Sequence, residues 1–237
     1  MKRFATYGEP LPGVSLEDLS GWLIVVEGTD GVGRTTHVNR LRTHLEQMGY
    51  AVAETGLTRS DLASRGIRRA KLGNTLGSNA FNLFYATDFA DRLERQIIPA
   101  LRSGFVMLTD RYTYSLIARA IVRGADPDWI KQVFAFALKP SATFYLRIEV
   151  EDLVPRVLAE GGGFDYWESG MDLPMGEDLY ESFVNYQRRL IHELDALSHE
   201  YAFQTLDATR KVDDLSDDLC DRVSALLAQR RPTAVTP

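Results

Sequence analysis

One segment near the amino terminus constrains the fold of this chain more than any other. An apolar, strand-like run at 22–27 leads directly into a glycine-rich loop, and apolar residues at helical spacing follow as far as Gly49. The loop reads Gly28-Thr29-Asp30-Gly31-Val32-Gly33-Arg34-Thr35-Thr36. Its glycines let successive backbone N–H groups turn toward one anion, and the following helix directs its positive end to the same point. The segment therefore predicts a phosphate-binding turn between a strand and a helix.

The loop fits the pattern G-x-x-x-x-G-K-[S/T] except that Arg34 stands where a lysine is usual. Arginine keeps the positive charge but is a broad planar fork, whereas lysine is a compact point charge. Thr35 would supply the hydroxyl that ligates Mg²⁺. We expect phosphate binding to survive this change, while the geometry of phosphoryl transfer stays open. The alternative is a glycine-rich turn that binds nothing.

Strand-like and helix-like segments alternate along the rest of the chain, which is typical of an α/β fold with a mostly parallel sheet. Five strands are predicted, at 22–27, 50–55, 105–109, 142–148 and 202–206. A long helix is predicted over 78–103, and Pro99 should kink it. We expect three parts in all: a loose arm at 1–20, a single domain at 21–229 and a flexible tail at 230–237.

Charge and composition exclude several classes of partner. The 237 residues include 27 basic and 33 acidic side chains, so a net charge of −6 does not suggest a binder of nucleic acid or of membrane surfaces. The longest apolar run, 22–26, is far shorter than the roughly 18 residues of a membrane span. Cys220 is the single cysteine, which is compatible with a reducing compartment. We therefore expect a soluble cytoplasmic protein.

Three segments in a fixed order carry a family resemblance. They are the run 26–36, then Leu83-Phe84-Tyr85-Ala86, then Asp110-Arg111-Tyr112. Together they resemble the thymidylate kinase family of nucleoside-monophosphate kinases over roughly 21–227. The resemblance implies a P-loop kinase fold with a central, mostly parallel five-stranded sheet flanked by helices. It also implies a small lid segment at about 160–176 and a homodimer.

The same resemblance implies the reaction. ATP with Mg²⁺ would bind the glycine loop, 28–36, and dTMP would accept the γ-phosphoryl group to give dTDP. Carried over position by position, it implies these roles: Asp110 with Thr35 beside Mg²⁺, Arg111 and Arg59 on the acceptor phosphate, Asp30 at the acceptor sugar, and Phe84 stacked on the acceptor base.

Two positions depart from the family pattern near the acceptor. Asp88 stands where the family usually has an arginine that reads the O4 of thymine. A carboxylate only accepts hydrogen bonds, so Asp88 would better suit an amino group on cytosine or guanine. Arg119 replaces the tyrosine of a Tyr-Gln pair and is a further candidate for binding the substrate.

The lid departs further, because no lysine or arginine occurs from 157 to 187. The family places arginines in the lid or one in the glycine loop, where this chain has Gly31. A catalytic arginine accelerates related transfers by about 10³–10⁵, and Arg34 is the candidate to take over part of that role beside Asp110 and Arg111. Two alternatives stay open: a kinase of the same fold with another acceptor, and a catalytically weakened nucleotide-binding module that acts through a partner.

Overall fold

The central sheet has five strands, and the computed structural model that contains it describes residues 4–73, 76–159 and 163–229. The strands are β1 (Trp22–Gly28), β2 (Val52–Gly56), β3 (Val106–Asp110), β4 (Ala142–Arg147) and β5 (Gln204–Asp207). Their order is β2-β3-β1-β4-β5, and every neighbouring pair is parallel. The predicted α/β class with five strands is confirmed. Strand β1 is buried along its whole length, as expected for the centre of a parallel sheet.

Helices cover both faces of the sheet. They are α1 (Arg34–Gln47), α2 (Ser64–Gly73), α3 (Ser78–Arg92), α4 (Ile98–Arg102), α5 (Thr113–Val122), α6 (Pro127–Val133), α7 (Val150–Ala159), α8 (Leu179–Glu200) and α9 (Val212–Ala228). Side chains alternate between the faces of a strand. Accordingly, Leu23 and Val25 enter the core beneath α3 to α6 and α8, while Ile24 and Val26 enter the core beneath α1, α7 and α9. Among the described residues, no helix combines the length and apolar character that a membrane span requires.

The predicted long helix is interrupted near Pro99. It divides into α3, a π-helical turn at Leu93–Ile97, and α4, where Pro99 lies in the first turn. Proline has no N–H to donate, and the first turn of a helix tolerates this loss. The helical residues nevertheless run on without a gap from Ser78 to Arg102, so the predicted kink at Pro99 stays a prediction.

The prediction of a loose amino-terminal arm is wrong for residue 4 onward. Phe4 and Leu19 are buried in the core, and the Tyr7 backbone N–H donates to the Ala137 carbonyl at 3.2 Å. The Tyr7 ring also packs edge-on against Tyr114. Burial of these apolar side chains holds the segment against the domain. Residues 1–3 and the predicted tail at 230–237 lie outside the described residues.

Candidate active site

The candidate site lies at the carboxyl edge of the sheet, where parallel α/β sheets bind ligands. Three strands end there side by side, since Asp110 of β3 pairs in register with Val26 of β1 and with Gly56 of β2. The glycine loop leaves β1 at this edge and enters α1 at Arg34. The loop residues 28–36 and Asp110, far apart in sequence, are therefore neighbours in the fold.

The glycine loop requires glycine at its centre for two reasons. Gly31 has φ +75° and Gly33 has φ +94°, both in the left-handed region that side chains with a Cβ disfavour. A Cβ on Gly31 would also lie 2.5 Å from Cγ2 of Val157 in α7. Because α7 packs directly against Gly31, a side chain at this loop position would have to displace Val157.

Arg34 folds back onto its own loop. Its Nε donates to Oδ1 of Asp110 at 2.7 Å, and its Nη1 donates to the carbonyls of Gly28, at 2.7 Å, and Thr29. Its Nη2 lies 3.9 Å from Oδ1 of Asp30. The planar guanidinium thus bridges two carboxylates and two carbonyls, a set of acceptors that a single ammonium nitrogen does not span.

Thr35 and Asp110 meet in front of the loop. The Thr35 hydroxyl donates to Oδ2 of Asp110 at 2.9 Å. Both are hard oxygen donors of the kind Mg²⁺ prefers when nucleotide phosphates and water complete its shell. No group of three or more His, Cys, Asp or Glu in the described part of the chain is placed to hold a metal. The residues therefore fit a magnesium ion that arrives with phosphate.

Asp30 is the centre of an arginine cluster. Arg111 contacts one of its carboxylate oxygens and Arg119 contacts the other, and Arg34 lies nearby. Burial, together with the charge of Arg119, lowers the pKa of Arg111. Two guanidinium groups, those of Arg111 and Arg119, share the single carboxylate of Asp30. They leave an excess of positive charge beside the glycine loop, which suits a second phosphate.

Glu27 fixes the turn that presents Arg111. This residue is fully buried and accepts the Tyr112 backbone N–H at 2.7 Å and the Ser115 N–H at 3.4 Å. Burial raises the pKa of Glu27, although the hydrogen bond from the Ser115 hydroxyl opposes this change. Arg111 itself has φ +71°, a strained conformation for a residue with a side chain. Glu27 is a carboxylate at the end of an apolar strand, and this position was the sequence signal for its role, which was not among the predicted roles.

The carboxylate of Asp88 is buried and bonded to groups of its own chain. It is fully buried, accepts the backbone N–H groups of Thr58 and Ser60 at 3.1 Å each, and pairs with Nε of Arg92 at 2.9 Å. Its oxygens are thereby occupied by donors of the same chain. These contacts do not support the interpretation of Asp88 as a base-reading residue, because the carboxylate holds the loop after β2 instead.

Arg59 is carried by the loop that Asp88 holds. Its Nη1 pairs with Oε1 of Glu54 at 3.1 Å, and its Nε lies next to Gly56 at the end of β2. Gly56 is the register neighbour of Asp110. Arg59 is therefore at the same sheet edge as the arginine cluster, with its guanidinium half exposed.

A cavity opens beside the arginine cluster, between α3, α5 and the lid. Its lining includes Phe81, Tyr85, Arg119, Arg123 and Trp167. The candidate stacking residue Phe84 does not line it: its ring is 38% exposed and lies against Gly66 of α2. Each residue advances a helix by about 100°, so the next position along α3, Tyr85, lines the cavity together with Phe81 although Phe84 does not.

The described part of the lid forms an ion pair with Arg123, the residue that follows α5. Nε of Arg123 donates to Oδ2 of Asp172 at 2.8 Å, and Nη2 donates to the Trp167 carbonyl at 3.0 Å. Arg123 was absent from the sequence-based candidates because it lies outside the lid. Arg123 thus attaches the acidic lid to the domain.

Known proteins match this chain over most of its length. A family model described as thymidylate kinase matches residues 26–219. The chain is 38% identical over 203 residues to a probable thymidylate kinase 2 of Saccharolobus solfataricus, covering 85% of this chain and 94% of that protein. It is 30% identical over 215 residues to a thymidylate kinase of Halothermothrix orenii, covering 88% and 99%. A probable thymidylate kinase of Pyrococcus horikoshii is 28% identical over 208 residues, covering 85% and 95%.

Proposed function

Because the chain belongs to the thymidylate kinase family, a family of ATP-dependent phosphotransferases, we propose that it transfers the γ-phosphoryl group of ATP to dTMP and forms dTDP. The observation that carries the proposal is the arrangement at the sheet edge. A phosphate-binding loop lies directly beside a second cluster of cations, Arg111 and Arg119 on Asp30. Two anion sites side by side are what a transfer between two phosphates requires.

The donor end is the glycine loop. Its backbone N–H groups and the amino end of α1 would bind the β- and γ-phosphates of ATP. Thr35 and Asp110 would hold Mg²⁺, which neutralises charge on the phosphate oxygens when bound. Arg34 would exchange its loop carbonyls for phosphate oxygens.

The acceptor end is the arginine cluster. The phosphate of dTMP would take Arg111 and Arg119 from Asp30, with Arg59 approaching from the end of β2. Asp30, which then has free oxygens, would accept a hydrogen bond from a sugar hydroxyl. The acceptor phosphate oxygen attacks the γ-phosphorus in line, and ADP leaves.

We assign to Arg34 the stabilisation of negative charge in the transition state. The lid has no lysine or arginine between 157 and 187, and α7 closes the loop position at Gly31. Arg34 already contacts both Asp110 and the start of the loop. We infer that it stabilises the migrating phosphoryl group in place of a lid arginine.

Two finer points complete the proposal. The chain would act as a homodimer in the cytoplasm, where its nucleotide substrates are found. The helices α2 and α3 leave Leu72 91% exposed and Leu83 49% exposed, and such apolar surface favours a protein contact. Light scattering on a sizing column measures the molar mass of the protein in solution. A mass equal to that of a monomer would contradict the proposed dimer.

The test of the function is ³¹P NMR of the purified protein with ATP, Mg²⁺ and dTMP, followed by dCMP, dGMP and dUMP. We expect the resonances of dTDP and ADP to appear at equal rates. An Asp110→Ala variant provides the control for a contaminating kinase. Consumption of another monophosphate alone would favour a different acceptor, and bound ATP without transfer would favour the nucleotide-binding module.

A further inference from the structure

Trp167 of the lid lies over the aromatic lining of the acceptor cavity. Its indole stacks on Phe81 with ring centroids 5.4 Å apart and an interplanar angle of 30°. Nζ of Lys71 lies 5.8 Å from the centre of the indole ring, and Tyr166 packs edge-on against it. The backbone is held separately, because Arg123 donates to the Trp167 carbonyl at 3.0 Å.

Two cavities of very different volume adjoin Trp167. The cavity between Trp167, Tyr85 and Arg119 has a volume of about 30 Å³, enough for one or two water molecules. A second cavity of about 550 Å³ lies beside the same ring and is lined by Arg68, Leu72 and Tyr166 among others. Sites for small molecules usually measure about 300–1,000 Å³. A nucleobase therefore does not fit in the smaller cavity while Trp167 keeps this position.

We propose that Trp167 is a specificity-determining residue that occupies the place of the acceptor base on Phe81 until an acceptor displaces it. The inference rests on the proposed function, since it assigns the base subsite of that reaction. An indole and a nucleobase are both flat aromatic systems that stack on a phenyl face, and one face of Phe81 holds one of them at a time. Because Arg123 fixes the backbone, the side chain turns into the larger cavity while the lid stays attached.

This arrangement discriminates between acceptors. A nucleoside monophosphate regains the stacking contact that the indole loses when it leaves Phe81. A sugar phosphate without a base reaches the arginine cluster but has no ring to offer Phe81, so it does not displace Trp167. The indole stack also weakens nucleotide binding. Only the fraction of protein molecules in which Trp167 has left Phe81 is competent to bind the nucleotide.

The first measurement is calorimetric. Trp167→Ala should bind dTMP, in the absence of ATP, roughly two- to tenfold more tightly than the parent, which corresponds to the loss of one competing aromatic pair. Trp129→Phe is the matched control, because Trp129 lies on α6 outside the site, and its affinity should equal that of the parent. An affinity for dTMP that is unchanged or weaker in Trp167→Ala overturns the proposal.

The second measurement uses tryptophan fluorescence emission. It tests the proposal independently in case Trp167→Ala folds poorly. The chain has three tryptophans, at 22, 129 and 167. Binding of dTMP should change the emission of the parent and of Trp129→Phe but not that of Trp167→Phe. Deoxyribose 5-phosphate, the base-free probe, should leave all three spectra unchanged. An emission change that persists in Trp167→Phe overturns the proposal.

The two proposals fail in different ways. The proposed function fails if ³¹P NMR shows no dTDP, whatever the emission does. The assignment of Trp167 fails if dTMP is phosphorylated while its binding leaves Trp167 undisturbed. If another monophosphate is the acceptor, that nucleotide replaces dTMP in both binding experiments with the same expected results. If no nucleoside monophosphate binds, both proposals are wrong.

Discussion

Replacing Arg34 by lysine tests the most unusual residue of the site. The guanidinium donates from two different nitrogens, from Nε to Asp110 and from Nη1 to the Gly28 and Thr29 carbonyls. A lysine has one nitrogen, so Arg34→Lys keeps the charge but loses one of these two connections. A hydrogen bond to a charged group contributes about 1.5–3 kcal/mol. Since Asp110 is 12% exposed and water partly replaces the lost donor, we expect a loss near 1.5–2 kcal/mol, within that range.

The stability assay is thermal denaturation, and Arg42→Lys is the control on the same helix. Arg42 pairs with Glu46 at 2.9 Å, but both side chains are nearly half exposed, at 49% and 45%. An exposed pair of this kind is worth about 0.3–0.5 kcal/mol. In a chain of this size each 1 kcal/mol shifts Tm by about 2–4 °C. Arg34→Lys should therefore lower Tm clearly more than Arg42→Lys does, and equal shifts would refute the bridging role.

The kinetic assay separates catalysis from binding. If Arg34 stabilises the migrating phosphoryl group, Arg34→Lys should lower kcat by about tenfold or more, a modest share of the effect of a catalytic arginine. The KM for ATP should change little, because lysine still neutralises phosphate charge. A variant that transfers phosphate as fast as the parent would remove any special role for arginine at this position.

Three further changes test other parts of the site. Asp88→Asn leaves the buried guanidinium of Arg92 without its charged partner, so the free energy of unfolding in urea should fall by about 3–5 kcal/mol. The choice of acceptor should be unchanged, and an altered choice would restore the base-reading interpretation. Thr35→Ala should raise the Mg²⁺ concentration for half-maximal transfer by about tenfold, whereas Thr43→Ala, on the exposed face of α1, should not; equal effects would contradict the metal assignment. Burial lowers the pKa of His37 from its usual 6.5, so the folded state favours the neutral ring, and the resulting stability is present above pH 6.5 and lost as the pH falls below it. The free energy of unfolding, measured in urea, should therefore fall less between pH 7.5 and 5.5 in His37→Gln than in the parent, by at most about 1.4 kcal/mol per pH unit. The exposed His192→Gln should follow the parent.

The sequence predicted those parts of the protein whose signals are local. The strand, the glycine loop and the helix after it are consecutive, and their chemistry follows from backbone conformation and helix polarity. Alternation of apolar runs with helical periodicity was enough for a five-stranded α/β sheet, because each element carries its own pattern. The long helical stretch before β3 was predictable for the same reason, since its apolar periodicity is local.

The phase of a helix was harder to predict than its presence. Phe84 and Tyr85 are adjacent aromatic residues on α3, and a rotation of about 100° decides which of them faces the cavity. The packing of α3 on its neighbours sets this rotation and selects Tyr85. In the same way, packing turns Asp88 toward the loop after β2 and away from the acceptor.

What the sequence by itself determined is the phosphate loop, the fold class and the pairing of Thr35 with Asp110 at one edge of the sheet. What only the tertiary structure decided is which distant side chains meet there. Arg119 contacts Asp30 across 89 positions of sequence, and Trp167 stacks on Phe81. The physical reason is that such contacts depend on how whole helices and the lid pack, and no short segment of sequence encodes the distance between them.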